Sequence, residues 1–383
     1  MHALLEGLNK AVSSVVAGVF VKTVSSHVCN SGMVQDLGRS TRAPHFPKKK
    51  KFKLCLKIAR KDRFQDHQKR MLRTLSRPRT MSTSSLQARA LPSGFFWAAC
   101  ETGVKNKAKA SSPLDLAILY SPSPCVASAT FTKNVFKAAP VVVSKAALHA
   151  SFGQHIHGLI VNSGCANAVT GKQGEKDART MVEAVNTMIT KQPNSTLVMS
   201  TGVIGVFLQM DKILKGVENL IGRIAERQKT QTLAEGWTEA AHGFMTTDTY
   251  AKCLSQEITL KRSGETFRIA GICKGAGMIH PNMATMLGTI CTDLDIAPSC
   301  LNEITSYAIE RSFNCISVDG DMSTNDTCVV LANAEARTVR KTQAKRIETI
   351  GDADYIEVRD AITDFARQLA QLIVRGFLFI SSS

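Results

Sequence analysis

From Leu91 onward, short apolar runs alternate with stretches whose apolar residues recur at helical spacing. Leu116–Leu119, Leu159–Val161, Leu197–Met199, Ile269–Ile272 and Met286–Ile290 are brief and mostly unbroken, the pattern of strands buried on both faces. Gly174–Ile189 carries Ala178, Met181, Val182, Val185 and Met188 three or four residues apart, which predicts a helix. Asp211–Ile221 predicts a second, with Asp211 placed to cap its start. A third begins near Thr232 and ends before Thr246, and Ser299–Phe313 and Tyr355–Val374 complete the set. The Met and Leu stripes on these helices need no explanation beyond a core. No fixed-period repeat is present, and the alternation reads as an α/β fold.

Charge changes the picture only at the N-terminus. The 383 residues carry a formal net charge of +17, which on its own invites a nucleic-acid partner. Residues 1–90 hold 19 Lys and Arg against 4 Asp and Glu, so the remainder is close to neutral, and a nucleic-acid function of the body is disfavoured. Met71–Ala90 holds Arg73, Arg77, Arg79 and Arg89, several Ser and Thr and no acidic residue, the composition of a mitochondrial targeting peptide with Met71 as a suitable initiator. Residues 1–70, with the run Lys48–Lys51 and Lys53, read as a basic, disordered extension. No apolar stretch reaches the length of about 18 residues that spans a membrane; Ala11–Val21 is too short. The 11 cysteines show no C-x-x-C pair and no spacing with His that would make a zinc site, so no metal is expected and the thiols fit a reducing compartment.

Gly275-Ala-Gly-Met-Ile-His-Pro-Asn-Met-Ala284 delivers Thr285 into the apolar run that follows. Glycines and a proline allow tight backbone conformations closed to bulky residues. One reading is an ordinary strand threonine after a turn. The other is a threonine that cleaves its own upstream peptide bond, between Ala284 and Thr285, and then uses the freed α-amine as its base. Such an amine has an unperturbed pKa of about 7.7–8.0, so no histidine is required, and His280 is read as structural. Gly171-Lys-Gln-Gly174 lacks the spacing of a phosphate loop. Asn162 and Asn167 read as loop-stabilising amides.

The segment resembles the self-cleaving core of the ornithine acetyltransferases, the bifunctional arginine-biosynthesis acetyltransferases. Further blocks resemble that family in its order: Phe131–Pro140, Val161–Ala168, Ser200-Thr-Gly-Val-Ile-Gly205, Thr246-Thr-Asp-Thr249 and Val318–Thr327. The resemblance runs from about Leu91 to Arg375. It implies β-sheets sandwiched between helices, with an α chain over 91–284 and a β chain over 285–383 after self-cleavage. It implies Thr285 as nucleophile, Thr201 and Gly202 as the oxyanion pair, and Thr246, Thr247, Lys274 and Thr285 as substrate-binding residues. The implied reaction moves an acetyl group from N-acetylornithine to glutamate through acetyl-Thr285, with acetyl-CoA as a further donor and no bound cofactor. The implied setting is the mitochondrial matrix of a fungal-type member, with the two fragments paired as a heterodimer within a heterotetramer and neither nucleic acid nor membrane as partner.

Two departures qualify the resemblance. Met322 stands where the family has threonine, in a loop whose Asp319 and Asp321 are then structural. After Arg375 the family continues through an Asp-Gly-Glu-Gly segment whose glutamate contacts substrate, whereas this sequence reads Gly376-Phe-Leu-Phe-Ile-Ser-Ser-Ser383. The expectation is a C-terminally truncated member, with an inactive relative as one alternative. Another is an amidase or aminopeptidase of similar architecture, in which water accepts the acyl group.

Overall fold

The structure is a computed structural model that describes residues 90–105, 112–277, 286–317, 321–341, 343 and 345–380, with side chains to residue 376. These belong to one compact unit, Thr80–Ser383. The targeting-peptide reading of residues 71–90 (all but Ala90), the basic extension, Ala284, Thr285, His280 and Asp319 lie outside the described residues.

In chain order the elements are β1 (Phe96–Cys100), β2 (Leu116–Phe131), α1 (Ala139–Ala150), β3 (Ile156–Cys165), α2 (Gly171–Val185), β4 (Thr196–Val203), α3 (Met210–Thr230) and α4 (Ala234–Phe244). There follow β5 (Lys252–Thr259), β6 (Thr266–Lys274), β7 (Leu287–Thr292), α5 (Pro298–Glu310), β8 (Thr327–Ala332), the single turn α6 (Glu335–Thr338) and α7 (Tyr355–Ile380). All five predicted strands are present within these. β1, β5 and β8 were not anticipated, nor was α1, whose Pro140 sits at the helix start, where the missing N–H has no intrahelical partner to lose. The predicted helix over 174–189 starts at Gly171, and its last turn widens into a π-turn, Asn186–Thr190. Asp211 does not cap α3. Gln209 holds the N-cap, and Asp211 lies in the first turn, where its charge still complements the helix dipole.

The strands run in the order β4-β3-β2-β8-β7-β6-β5, with β1 paired to β2. β2 belongs to both halves. Leu116–Tyr120 pair with β3 and β1, the register shifts between Tyr120 and Cys125, and Val126–Phe131 pair with β8. Alternate residues of each half face opposite ways, as the two-residue strand period demands. Ile118, Ile160 and Val198 meet α2 and α3 residues such as Met181 and Val217 in one core. Ile269, Ile290 and Val330 meet α5 and α7 residues such as Ile304 and Phe365 in another. Leu119, Val161, Leu197, Ile272, Leu287 and Leu331 share a central core with Trp237 and Phe244 of α4. The two half-sheets therefore face each other across a core that α4 also enters, with α2 and α3 outside one and α5 and α7 outside the other, and the expected sandwich of sheets between helices is what the chain forms. Among the described residues no helix is long and apolar enough to cross a membrane.

Candidate active site

Strand parity brings the first two site residues together. On β4, Leu197, Met199 and Thr201 share one face; on β6, Ala270, Ile272 and Lys274 do the same, and both faces turn toward the central core. Continuing each apolar row by one step puts Thr201 and Lys274 at the strand ends, and there the Lys274 ammonium donates to Thr201 Oγ1 at 3.2 Å. Both side chains are buried. An ammonium only donates, so Thr201 Oγ1 accepts, and the threonine keeps its own O–H proton for another acceptor.

Gly202 follows, exposed, with φ +135. A Cβ here would stand 2.3 Å from the Gly164 carbonyl carbon and 2.6 Å from the Cys165 nitrogen. Only glycine allows β4 to approach β3 this closely as it turns away.

Two carboxylates flank this pair. Asp248 Oδ2 accepts the Thr246 amide at 3.1 Å, and its Oδ1 accepts the Gly275 amide at 2.9 Å and the Lys252 ammonium at 2.5 Å. The Thr246–Asp248 turn is thereby fastened beside Lys274. Thr246 is half-buried and Thr247 exposed. Burial opposes the charge on Asp248, but Lys274 and Lys252 outweigh it and hold the carboxyl below its usual range. Burial lowers the Lys274 pKa, with Asp248 and Asp326 acting the other way. Next to this turn, Lys105 donates to Leu114 O at 2.6 Å and Met245 O at 2.8 Å, and burial lowers its pKa to about 8.

Asp326 is the second carboxylate. Its Oδ1 accepts the Met286 amide at 3.1 Å, while its buried Oδ2 has no hydrogen-bond partner among the described residues. Burial pushes its pKa up to about 8, against the Met286 amide, Lys274 and the nearby Thr132 and Ser323 hydroxyls. The preceding residue fixes this loop: Asn325 Nδ2 donates to Ala166 O at 2.6 Å and to Ser200 O at 2.8 Å. The segment between Gly275 and Met286 is thus held at both ends by an aspartate, with Lys274 near each.

The structure brings Thr201, Gly202, Lys274 and the Thr246 turn to one place. Asn167 serves a loop, as read, donating to Gly174 O at 2.8 Å; Asn162 instead lies within β3 and donates to Cys165 O at 2.8 Å, across the irregular end of that strand. Asp248, Lys252, Lys105, Asn325 and Asp326 were missed as site residues. Lys252 heads a strand whose next residues are apolar, a position where a lone lysine must find an anion, and that signal was available. Lys105 sits among Lys107 and Lys109 and reads as one more solvated charge. Among the described residues no cluster of His, Cys, Asp and Glu could hold a metal ion.

Residues 97–376 match the ArgJ family. The chain is 45% identical over 312 residues to the mitochondrial arginine biosynthesis bifunctional protein ArgJ of Paracoccidioides brasiliensis strain Pb03, covering 80% of this chain and 63% of that protein. To the protein of the same name from Aspergillus clavatus it is 45% identical over 314 residues, covering 80% and 66%. It thus spans somewhat under two thirds of the length of these relatives. Among solved structures, the arginine biosynthesis bifunctional protein argJ of Bacillus halodurans aligns with 35% identity and a TM-score of 0.42, over 50% of this chain and 92% of that one. With the family match covering most of the chain and its relatives 45% identical, the chain belongs to the ArgJ family.

Proposed function

We propose that the protein carrying this chain is a glutamate N-acetyltransferase of arginine biosynthesis that uses Thr285 as its nucleophile. The observation that carries the reading is the Lys274–Thr201 pair at the strand ends, followed by the close-packed Gly202. It leaves a hydroxyl proton and a glycine amide for an anionic oxygen. The names of the relatives, bifunctional arginine biosynthesis proteins of mitochondria, support the substrate class and the compartment, and the matrix is the location proposed.

Self-cleavage begins with the Thr285 hydroxyl adding to the Ala284 carbonyl. A C–O bond forms, the C–N bond to Thr285 breaks, and the hydroxyl proton ends on the departing amine. Water then hydrolyses the ester, leaving a carboxylate on Ala284 and a free amine and hydroxyl on Thr285. In turnover the same hydroxyl attacks the acetyl carbonyl of N-acetylornithine, passing its proton through the amine to the leaving ornithine. The amine of glutamate attacks the acetyl ester, giving N-acetylglutamate and restoring the hydroxyl. Thr201 and Gly202 stabilise the oxyanion in each step. Thr246, Thr247 and Lys274 are the proposed substrate contacts, acetyl-CoA a second donor, and the two fragments a heterodimer that pairs into a heterotetramer.

The test is N-terminal sequencing of the small fragment from purified protein. Its first residue should be Thr285, and Thr285→Ala should leave the chain whole. A fragment that begins elsewhere overturns the proposal.

A further inference from the structure

We propose that Asn325 is the positioning residue of the oxyanion side: its side-chain amide fixes the Thr201–Gly202 pair beside Lys274. This rests on the reading of Thr201 and Gly202 as the groups that receive an anionic oxygen.

A side-chain amide has two N–H donors. Those of Asn325 go to the carbonyls of Ser200 at 2.8 Å and Ala166 at 2.6 Å. The Ser200 carbonyl belongs to the peptide unit whose nitrogen is that of Thr201. A peptide unit is planar, so holding its oxygen holds the plane from which Thr201 departs. The Ala166 bond acts on the far side of the pair, because the Ala166 amide donates at 2.9 Å to the carbonyl of Val203, the residue after Gly202. One side chain thus brackets Thr201–Gly202, directly at Ser200 and through Ala166 at Val203.

The bracket stands where the sheet stops supplying one. β3 and β4 pair in step from Gly158 and Thr196 to Gly164 and Gly202, and at Cys165 the register shifts, so that Cys165 lies against both Thr201 and Val203. The ladder is irregular at the very residues whose placement the chemistry needs. Catalysis of this kind is sensitive to that placement, since a displacement of about 1 Å can cost about 10²-fold in rate.

Asn325 can act as a reference point because its own backbone is tied from another direction. Thr132, directly after β2, donates its amide to Asp326 O and its hydroxyl to Ser323 O, both at 2.9 Å. The Ala138 amide donates to Thr324 O at 2.9 Å, and the Thr324 hydroxyl donates to Asn325 Oδ1 at 2.7 Å, which orients the amide. Asn325 is itself buried. An asparagine that only closed its own loop would spend its donors within that loop. Both of these leave it, for the strand and the turn on either side of the Thr201–Gly202 pair.

The test uses the full chain with Asn325→Asp, which keeps the size and removes both donors. Asn325→Ala guards against a poorly folded aspartate variant. Each should lower kcat for acetyl transfer from N-acetylornithine to glutamate by about 10²-fold and leave KM within about threefold, because the oxyanion forms only in the transition state. In a Thr201→Val background the further loss should stay under about tenfold, since residues that act through one another are not additive. Crystal structures supply a measure independent of activity. The separation of Lys274 Nζ and Thr201 Oγ1, 3.2 Å in the wild type, should open past the hydrogen-bond limit of about 3.5 Å in both variants. Wild-type kcat in both variants overturns the proposal, even with a lowered melting temperature, which would mark a structural tie alone. So does a loss that multiplies in full with that of Thr201→Val, or an unchanged Lys274–Thr201 separation. A wild-type chain without acetyl transfer, with the separation opening as stated, overturns the oxyanion reading and upholds the positioning of Thr201 by Asn325.

Discussion

The ammonium of Lys252 meets the carboxylate of Asp248 at 2.5 Å, with both side chains shut off from solvent. The same Asp248 oxygen holds the Gly275 amide, so this ion pair anchors the upstream end of the segment that leads to Thr285. Removing one partner leaves a buried charge with part of its compensation gone. Lys252→Met should therefore destabilise the fold by about 3–5 kcal/mol. Urea unfolding followed by tryptophan fluorescence measures it, because Trp97 and Trp237 are both fully buried, with ring centroids 6.0 Å apart. A loss under about 1 kcal/mol would mean that the pair contributes little to stability.

Gly376 on α7 makes room for that lysine. A Cβ at this position would stand 3.0 Å from Lys252 Cε and 3.1 Å from Nζ, tighter than most packed side chains come, so the lysine would have to shift by a few tenths of an ångström. Gly376→Ala should cost about 1–3 kcal/mol through overpacking, even though alanine favours a helix. Thermal unfolding of the variant checks the sign: a raised melting temperature would show that Lys252 yields without loss.

Thr201→Val keeps the branched shape that suits a strand and deletes only the hydroxyl. It takes away the proposed oxyanion donor and leaves the Lys274 ammonium without its acceptor. Cleavage and acetyl transfer should slow by about 10²–10³-fold with the nucleophile intact. A single-turnover rate equal to wild type would remove Thr201 from the chemistry.

Asp326 makes stability depend on pH in a predictable direction. Its carboxyl titrates near 8 in the folded state and at the ordinary carboxylate value, about 4, in the unfolded chain. Between those values the folded state binds more protons than the unfolded one. The stability contributed by this group is thus fully present below about pH 4 and is lost as pH rises through about 8, by an amount on the order of a few kcal/mol. Asp326→Asn should flatten that part of the profile. The difference in unfolding free energy between variant and wild type should move in favour of the variant from pH 5 to pH 8.5; a difference that stays constant would place the Asp326 pKa outside this window.

Much of this was legible in the sequence, for physical reasons. Buried strands such as Leu197–Met199 and Ile269–Ile272 announce themselves as apolar runs, and extending each by its two-residue period points to Thr201 and Lys274. The missed elements lack that contrast. β5 begins with a lysine, β1 mixes alanines with two aromatics, and α1 opens on apolar residues that look like a loop after the Phe131–Pro140 block. The missed site residues have a common cause as well. Asp248 and Asp326 act through backbone amides of Gly275 and Met286, 27 and 40 residues away along the chain, and a carboxylate that binds main chain leaves no matching side-chain motif.

If the chain is broken before Thr285, as proposed, the strand order has a consequence for the nicked protein. β7 and β8 would belong to the shorter piece, yet they occupy the middle of the sheet, between β2 and β6 of the longer one. On one flank β6 and β7 are paired along six residue pairs, and on the other β2 and β8 are paired along six. The strands of the shorter piece form a wedge hydrogen-bonded to the longer one along both flanks. Its escape would tear two ladders and open the central core, so separation and unfolding would be one event. The nicked protein should resist dilution as an intact polypeptide does, its pieces parting on a denaturing gel yet eluting together at nanomolar concentration.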